Sequence, residues 1–123
     1  MGGQGGGAIV NIASITAERV AASISVYAAA KAGLAHLGKA LALEWARHGI
    51  RVNALAPGYF VTEINSDFFA TEPGQALIKR IPMRRAGQLD DLDGPFLLLC
   101  SDASRFMTGA VIAVDGGHLV SGL

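Results

Sequence analysis

Two short apolar segments on either side of a long helical segment constrain the fold of this chain more than any other feature. The first segment, Ala8 to Ala13, is rich in β-branched residues, and the second, Ile50 to Ala56, ends at a Pro-Gly pair. Between them, Val26 to His48 is rich in alanine and leucine and is followed by Gly49, a typical helix end. This order predicts a parallel, right-handed strand-helix-strand unit and an α/β fold.

The remaining segments extend the same alternation. Leu89 to Ser101 predicts a second helix, which begins near Asp93 because the proline two residues later suits only a first turn. Val111 to Val114 predicts a third short strand. Thr62 to Arg85 is long and polar with little periodicity, so we expect a mobile lid or binding loop there.

Composition narrows the class of protein. The chain has 123 residues, 51% of them hydrophobic, and its ten basic residues balance ten acidic ones. This is ample apolar material for one folded domain, and without a basic stripe we expect neither nucleic acid nor a membrane as partner. Charged residues interrupt the longest apolar stretch, Val26 to Ala46, so no membrane span is expected. No signal peptide is recognisable, which predicts a cytoplasmic location.

Two features that often mark functional sites do not predict one here. The glycines from Gly2 to Gly7 precede a strand, and their spacing does not match a dinucleotide or phosphate loop. We expect them to form a flexible lead-in. Cys100 ends the apolar run that begins at Phe96, so we expect a small buried side chain.

Tyr27 and Lys31 carry the first indication of chemistry. They are four residues apart at the start of the long helix, so their side chains project from one face about one turn apart. A lysine ammonium at that distance favours the phenolate form of the tyrosine, which makes Tyr27 a usable acid or base. By itself this spacing is weak evidence, because such pairs occur on many helices.

Four motifs in a fixed order make the pair specific. They are Ile9-Val10-Asn11-Ile12-Ala13-Ser14, Tyr27-Ala28-Ala29-Ala30-Lys31-Ala32-Gly33, Ile50-Arg51-Val52-Asn53-Ala54-Leu55-Ala56-Pro57-Gly58, and Met107-Thr108-Gly109 leading to Asp115-Gly116-Gly117. In these stretches, which cover almost the whole chain, the sequence closely resembles the short-chain dehydrogenase/reductase family. The stretch Ile81-Pro82-Met83-Arg84-Arg85-Ala86-Gly87 resembles members related to 3-oxoacyl-carrier-protein reductases and to sugar or polyol dehydrogenases.

The resemblance implies an NAD(P)-dependent oxidoreductase with three catalytic residues. Tyr27 would exchange a proton with the oxygen of a carbonyl or secondary alcohol substrate, and Ser14 would hydrogen-bond that oxygen. Lys31 would assist Tyr27 and hydrogen-bond the nicotinamide ribose. Tyr27 and Lys31 therefore also count as cofactor-binding residues.

The resemblance also implies further contacts to NAD or NADP. Pro57 and Gly58 would let the backbone approach the nicotinamide at the carboxyl end of a strand. Phe60 and Thr62 match positions that contact the carboxamide and pyrophosphate. Phe60 is larger than the aliphatic residue expected there, which leaves its side-chain role open.

The other conspicuous polar residues predict structural roles. Asn11 and Asn53 lie within predicted strands, where buried amides must be hydrogen-bonded. His36 and His118 have no carboxylate or cysteine at a ligand spacing, so we expect no metal site.

Compared with the family, the chain begins where the fifth strand is expected. We therefore expect residues 1–123 to form a single partial domain, the C-terminal half of a doubly wound Rossmann-type parallel sheet with three strands and flanking helices. The glycine loop that binds the pyrophosphate and the residue that separates NAD from NADP belong to the other half. Weak or absent cofactor binding and turnover are expected of these residues alone.

Two classes of function remain open at this point. The chain is either enzyme sequence, or a non-enzymatic remnant that acts as an association or dimerisation module. The helix over 26–48 is apolar on two sides, which predicts that one side covers the sheet and the other a partner helix of a homo-oligomer. The substrate is not specified by the sequence.

Overall fold

The computed structural model describes residues 1–122, which form a three-stranded parallel sheet flanked by helices. Across the sheet the order is β1 (Gly7–Ile12), β2 (Ile50–Pro57) and β3 (Val111–Val114). The helices are α1 (Ser25–Trp45), α2 (Ser66–Phe69), α3 (Glu72–Arg80) and α4 (Asp93–Cys100). The predicted parallel α/β architecture is confirmed, and each strand ends within one residue of its predicted limits.

The central strand, β2, is buried along most of its length because helices cover both faces of the sheet. On one face, Ile50 and Val52 pack with Ala42 of α1. The other face lies against α4, whose Leu99 is fully buried. Burial of a side chain such as Val52 or Leu99 stabilises the fold by about 1.5–3 kcal/mol.

Polar residues of β2 tie the sheet to the chain that leads into β3. The buried Asn53 donates to the Met107 carbonyl and accepts from the Ala110 N–H, both at 3.0 Å. The Arg51 guanidinium donates to backbone carbonyls around the end of α4, among them Ser101 and Ser104. The structural role predicted for Asn53 is therefore confirmed. Asn11 differs, because it is only half-buried and makes no side-chain hydrogen bond within residues 1–122.

The segment over 62–85, predicted as a lid or binding loop, contains two helices, α2 and α3, which its weak periodicity did not indicate. The Thr71 side chain accepts a hydrogen bond from the Gly74 N–H and thereby caps α3. Pro73 occupies the first turn, where its missing N–H leaves no partner unsatisfied. The Pro73-Gly74 pair therefore lies in the first turn of a helix.

Two smaller expectations also differ from the structure. Cys100 is exposed, because the register of α4 directs its neighbour Leu99 into the core instead. The glycine-rich start forms a 3₁₀ turn over Gly2–Gln4, and the Gly7 N–H donates to the Gly49 carbonyl at 3.2 Å. It is an ordered turn beside β2.

Helix α1 is covered on one side only within the chain. Gly38 and Ala42 are buried toward the sheet, whereas Val26 and Leu43 are 82% and 83% exposed and Leu37 is 52% exposed. The helix ends in a 3₁₀ turn over Ala46–His48, in agreement with the predicted end. Across residues 1–122, none of the helices has the length and hydropathy that a bilayer crossing requires.

Candidate active site

A cleft of about 480 Å³ opens at the carboxyl ends of β1 and β2. This is where ligands bind in open parallel α/β sheets. Its lining combines hydroxyl groups with apolar walls. The lining residues are Ser14, Ile15, Thr16, Ile24, Tyr27, Pro57, Gly58, Tyr59, Phe60, Asn65 and Leu92. Five of the seven residues singled out in the sequence line this cleft, while Lys31 and Thr62 lie beside it.

Ser14 is held in the cleft by the short 3₁₀ helix that follows β1. Its side chain is 7% exposed, and its oxygen accepts hydrogen bonds from the backbone N–H of Thr16 (3.1 Å) and from the Thr16 hydroxyl (2.9 Å). A serine hydroxyl has two acceptor lone pairs and one hydrogen to donate. Both acceptor positions are used here, so the hydrogen of Ser14 is left for a ligand oxygen.

Tyr27 lies in the first turn of α1 with half of its surface exposed to the cleft side. Lys31 follows one turn later, with its Nζ 5.6 Å from the centre of the Tyr27 ring. The Lys31 ammonium donates one hydrogen bond, at 2.8 Å, to the carbonyl of Ile12 at the end of β1. Because an ammonium has three donors, two are left beside the tyrosine.

Pro57 and Gly58 form the floor of the cleft where β2 ends. Pro57 pairs with Val114 of β3, and the Gly58 N–H donates to the Val114 carbonyl at 3.0 Å. A Cβ atom on Gly58 would lie 2.8 Å from the Cβ of Asp115. The glycine is therefore required for the close approach of the two chain segments as well as for an open cleft floor.

The Phe60 ring has a structural contact that the sequence did not indicate. Phe60 and Gly87 form an isolated bridge, and a Cβ on Gly87 would clash with the Phe60 ring. The ring thus packs over the Gly87 backbone. This contact fixes the segment that leaves β2 against the turn before α4.

Thr62 is placed by Asn65, a residue that sequence reasoning missed. The Thr62 N–H donates to Asn65 Oδ1 at 2.7 Å, and Asn65 Nδ2 donates to the Phe60 carbonyl at 2.8 Å. Asn65 also lines the cleft. The available signal was an asparagine three residues after a threonine in a polar segment, which is typical of side-chain-capped turns.

An ion pair at the surface orders the turn that carries Leu92 into the cleft. Arg85 donates to the Asp91 carboxylate at 2.8 Å, and the Gln88 N–H donates to the same oxygen at the same distance. The hydrogen bond from Arg85 and then that from Gln88 hold the pKa of Asp91 below its usual range. Both groups are exposed, so the pair orders the turn more than it stabilises the fold.

Comparison with known proteins identifies the family to which the chain belongs. A family sequence model described as enoyl-(acyl carrier protein) reductase matches residues 1–118. The crystal structure of a gluconate 5-dehydrogenase from Burkholderia cenocepacia, in complex with NADP and tartrate, superimposes with a TM-score of 0.93 at 40% identity. The superposition covers 98% of this chain and 48% of the gluconate 5-dehydrogenase chain. The chain belongs to the short-chain dehydrogenase/reductase family.

Other members of the short-chain dehydrogenase/reductase family give the same picture. Gluconate 5-dehydrogenase from Gluconobacter oxydans is 44% identical over 119 residues, which are 96% of this chain and 46% of the relative. The 2-dehydro-3-deoxy-D-gluconate 5-dehydrogenase of Escherichia coli is 43% identical over 115 residues, 93% of this chain and 46% of the relative. The chain thus spans slightly less than half the length of these relatives.

Proposed function

We propose that the chain supplies the acid-base half of an NAD(P)-dependent oxidoreductase that acts on a carbonyl or secondary alcohol. The observation that carries this proposal is that Ser14 and Tyr27 line one cleft at the strand ends, with Lys31 one turn from the tyrosine. Family membership supports it. The same family prompts the expectation that the enzyme acts in the cytoplasm.

Each of the three residues has a role that its surroundings support. Ser14 would donate its free hydrogen to the substrate oxygen and fix that oxygen in place. Tyr27 would give a proton to this oxygen in the reductive direction and take it back in the oxidative one. The ammonium of Lys31, anchored to the end of β1, would stabilise the phenolate left on Tyr27.

The residues around the cleft fit the nicotinamide end of a dinucleotide. When bound, NAD or NADP would supply or accept the hydride. Lys31 would use its remaining donors on the ribose, and the side-chain-free surface at Gly58 would admit a flat ring. Phe60 would contribute through its backbone, since its ring is packed on Gly87, and Thr62 would contribute from the turn that Asn65 stabilises.

The substrate class that the relatives support is a polyhydroxylated carbon chain. Their names include gluconate, 2-dehydro-3-deoxy-D-gluconate and L-rhamnose dehydrogenases. These substrates share several hydroxyl groups, whereas only some of them carry a carboxylate. We therefore propose a sugar-like or polyol-like substrate.

The test uses a fusion of residues 1–123 to the amino-terminal half of the Gluconobacter oxydans relative, which would complete the cofactor site. Tyr27→Phe in this fusion should lower turnover by about 10²–10⁴-fold, because only the proton-transferring hydroxyl is lost. Cofactor affinity should fall only slightly, because the ring of residue 27 and Lys31 remain, and the melting temperature should stay unchanged. Tyr59→Phe, a matched loss of a tyrosine hydroxyl at the same cleft, serves as the control. Turnover that survives Tyr27→Phe would overturn the proposal.

We also propose that residues 1–123 alone bind NADH or NADPH weakly and turn over no substrate. The residues assigned above contact only the nicotinamide end, so too few contacts offset the entropy cost of binding. Titration calorimetry with both cofactors measures this directly. Micromolar affinity would contradict it.

Association through α1 is the second part of the proposal. Val26, Leu37 and Leu43 leave an apolar stripe exposed on the side of α1 away from the sheet, and such a stripe favours a two-fold helical interface. Light scattering at micromolar concentration should show a dimer or larger species, which Leu43→Lys should dissociate. If the chain is monomeric and the fusion shows no turnover, both the proposed enzyme activity and the proposed association are refuted.

A further inference from the structure

A second cleft adjoins the one that holds Ser14 and Tyr27. It has a volume of about 770 Å³ and shares Ile15, Thr16 and Tyr59 with the first cleft. These three residues therefore form the boundary between the two clefts. A substrate with its reacting carbon at Tyr27 is able to extend past them into the second cleft.

The second cleft is cationic, and its charges come from separate parts of the chain. Arg19 follows β1, Lys79 and Arg80 end α3, and Arg84 follows that helix. The His118 ring, which follows β3, also lines the cleft. Among the described residues that line it, none is acidic. Lys79 and Arg80 alone would be explained by the dipole at the end of α3, but Arg19 and Arg84 have no such explanation.

His118 lies in the positive potential of this cleft. Its Nδ1 is buried without a hydrogen-bond partner in the part of the chain that the structure describes, and its ring packs on Tyr59 with centroids 5.6 Å apart. Burial lowers the pKa of His118, and the cations Arg19 and Arg80 lower it further. Asp115 acts in the opposite direction, yet its carboxylate already accepts the N–H groups of Gly117 and Leu119.

Arg19 is held with its guanidinium oriented at one wall of the cleft. One of its nitrogens, Nη1, donates to the His118 carbonyl at 3.0 Å and to the Ser121 hydroxyl at 2.8 Å. The other terminal nitrogen makes no hydrogen bond within residues 1–122. An arginine fixed on one side in this way is preorganised to bind an anion on the other.

We propose that this cationic cleft binds the carboxylate of an acidic substrate, with Arg19 and Arg80 as the specificity-determining residues. The inference rests on the proposed function, since it places the reacting carbon of the same substrate at Ser14 and Tyr27. A carboxylate fits better than a phosphate. The helix end that borders the cleft is the carboxyl end of α3, so the N–H groups that favour phosphate at helix starts are not presented here.

The first experiment measures anion binding without turnover. The 123-residue chain is titrated calorimetrically with gluconate, with sorbitol as the neutral polyol of equal carbon number, and with inorganic phosphate. We expect gluconate to bind roughly tenfold more tightly than sorbitol and to weaken as salt is added. Equal affinity for gluconate and sorbitol, or tighter binding of phosphate than of gluconate, would overturn the carboxylate assignment.

Variants locate the binding. Arg80→Gln and Arg19→Gln should each weaken gluconate binding roughly tenfold, and Arg19→Lys should restore part of it. Lys39→Gln removes one exposed cation from α1, outside the cleft, and should change nothing. If Lys39→Gln weakens binding as much as Arg80→Gln does, net charge rather than this cleft is responsible and the proposal fails.

A further variant separates this proposal from the proposed function. Tyr27→Phe should weaken gluconate binding to the chain far less than Arg19→Gln does, because it removes one hydroxyl contact at the reacting carbon and leaves the carboxylate contacts in the other cleft intact. The same titrations on the fusion protein apply if the isolated chain does not fold. Turnover that survives Tyr27→Phe would sink the proposed function alone, whereas gluconate affinity that survives Arg19→Gln and Arg80→Gln would sink the carboxylate site alone.

Discussion

Polar groups near the amino and carboxyl ends of the parallel strands differ in where their hydrogen bonds go. In the first half of β2, Arg51 and Asn53 direct their hydrogen bonds to backbone groups of the same chain. Beyond the carboxyl end of β1, the Ser14 hydroxyl keeps a free hydrogen and Lys31 keeps free donors. Polar groups satisfied within the chain hold the fold, and those left over lie at the proposed site.

The largest effect on stability is expected at Asn53 of β2, where the polar groups are hydrogen-bonded within the chain. Asn53→Leu should lower the free energy of unfolding by about 3 kcal/mol, because the Met107 carbonyl and the Ala110 N–H would lose their buried partner. Urea denaturation measures the change. Asn11→Leu on β1 is the matched control, and it should have little effect because Asn11 is half-buried without such bonds. Similar losses in both variants would break the comparison.

The next largest effect, on turnover and cofactor affinity, is expected at Lys31, whose ammonium keeps free donors. Lys31→Met in the fusion protein should reduce turnover and cofactor affinity by roughly ten- to a hundredfold, since one ammonium is proposed to serve Tyr27 and the ribose. Stability should change little, because the replaced group is exposed and the methionine keeps most of the apolar stem. Unchanged cofactor affinity would contradict the dual role.

Gly58 contributes both to the fold, through its close approach to Asp115, and to the floor of the cleft. Gly58→Ala should lower the free energy of unfolding by about 1.5 kcal/mol, because the new Cβ would meet Asp115 at 2.8 Å. Gly33→Ala is the matched control on α1, where an added Cβ meets nothing within 4 Å. Thermal melts of the two variants compare them, and equal melting temperatures would show that the floor of the cleft is able to relax.

Ser14 belongs to both groups, because its oxygen accepts hydrogen bonds within the chain while its hydrogen is free for a ligand. Ser14→Ala should lower the free energy of unfolding by about 1 kcal/mol through loss of the cap on Thr16. In the fusion it should also reduce turnover. Ser14→Asp would keep an acceptor for Thr16 without the donor, so stability without turnover is the expected result. Wild-type turnover in that variant would show that the donor is dispensable.

The smallest effect concerns pH. The pKa of His118 is lowered in the fold, so near the ordinary histidine pKa the unfolded chain binds the extra proton and stability falls as the pH falls through that range. The loss ends below the lowered pKa of the folded chain. His118→Gln should flatten this part of the stability profile measured by urea denaturation, while the exposed His36→Gln should not. A profile that keeps its slope in His118→Gln would disprove the assignment.

Much of the fold was predictable because its signals are local. An apolar run or a periodic helix lies within one continuous stretch of sequence, and β1, α1 and β2 therefore appear in the sequence with nearly correct ends. The failure to predict helices over 62–85 arose from context, since Pro73 is a breaker inside a helix and favourable at its start. The error at Cys100 arose from the register of α4, which one turn of apolar residues does not define.

The residues of the two clefts also differ in whether the sequence indicates that they are close together. Tyr27 and Lys31 are on one helix turn, so their spacing indicates their proximity. Arg19 and His118 are joined by a hydrogen bond across 99 positions, and the two clefts exist only after the chain has folded. Spacing gives no indication of such a pair, because their proximity depends on the order of the strands.

The register of the sheet has a consequence for the motion of the active-site backbone. Ala54 and Leu55 are the two β2 residues paired with both neighbouring strands, to Asn11 and Ile12 on one side and to Val111 and Ile112 on the other. Their amide protons should exchange with solvent only when the whole sheet opens. Pro57 and Gly58 follow directly, so the cleft floor is attached to the slowest-exchanging part of the chain.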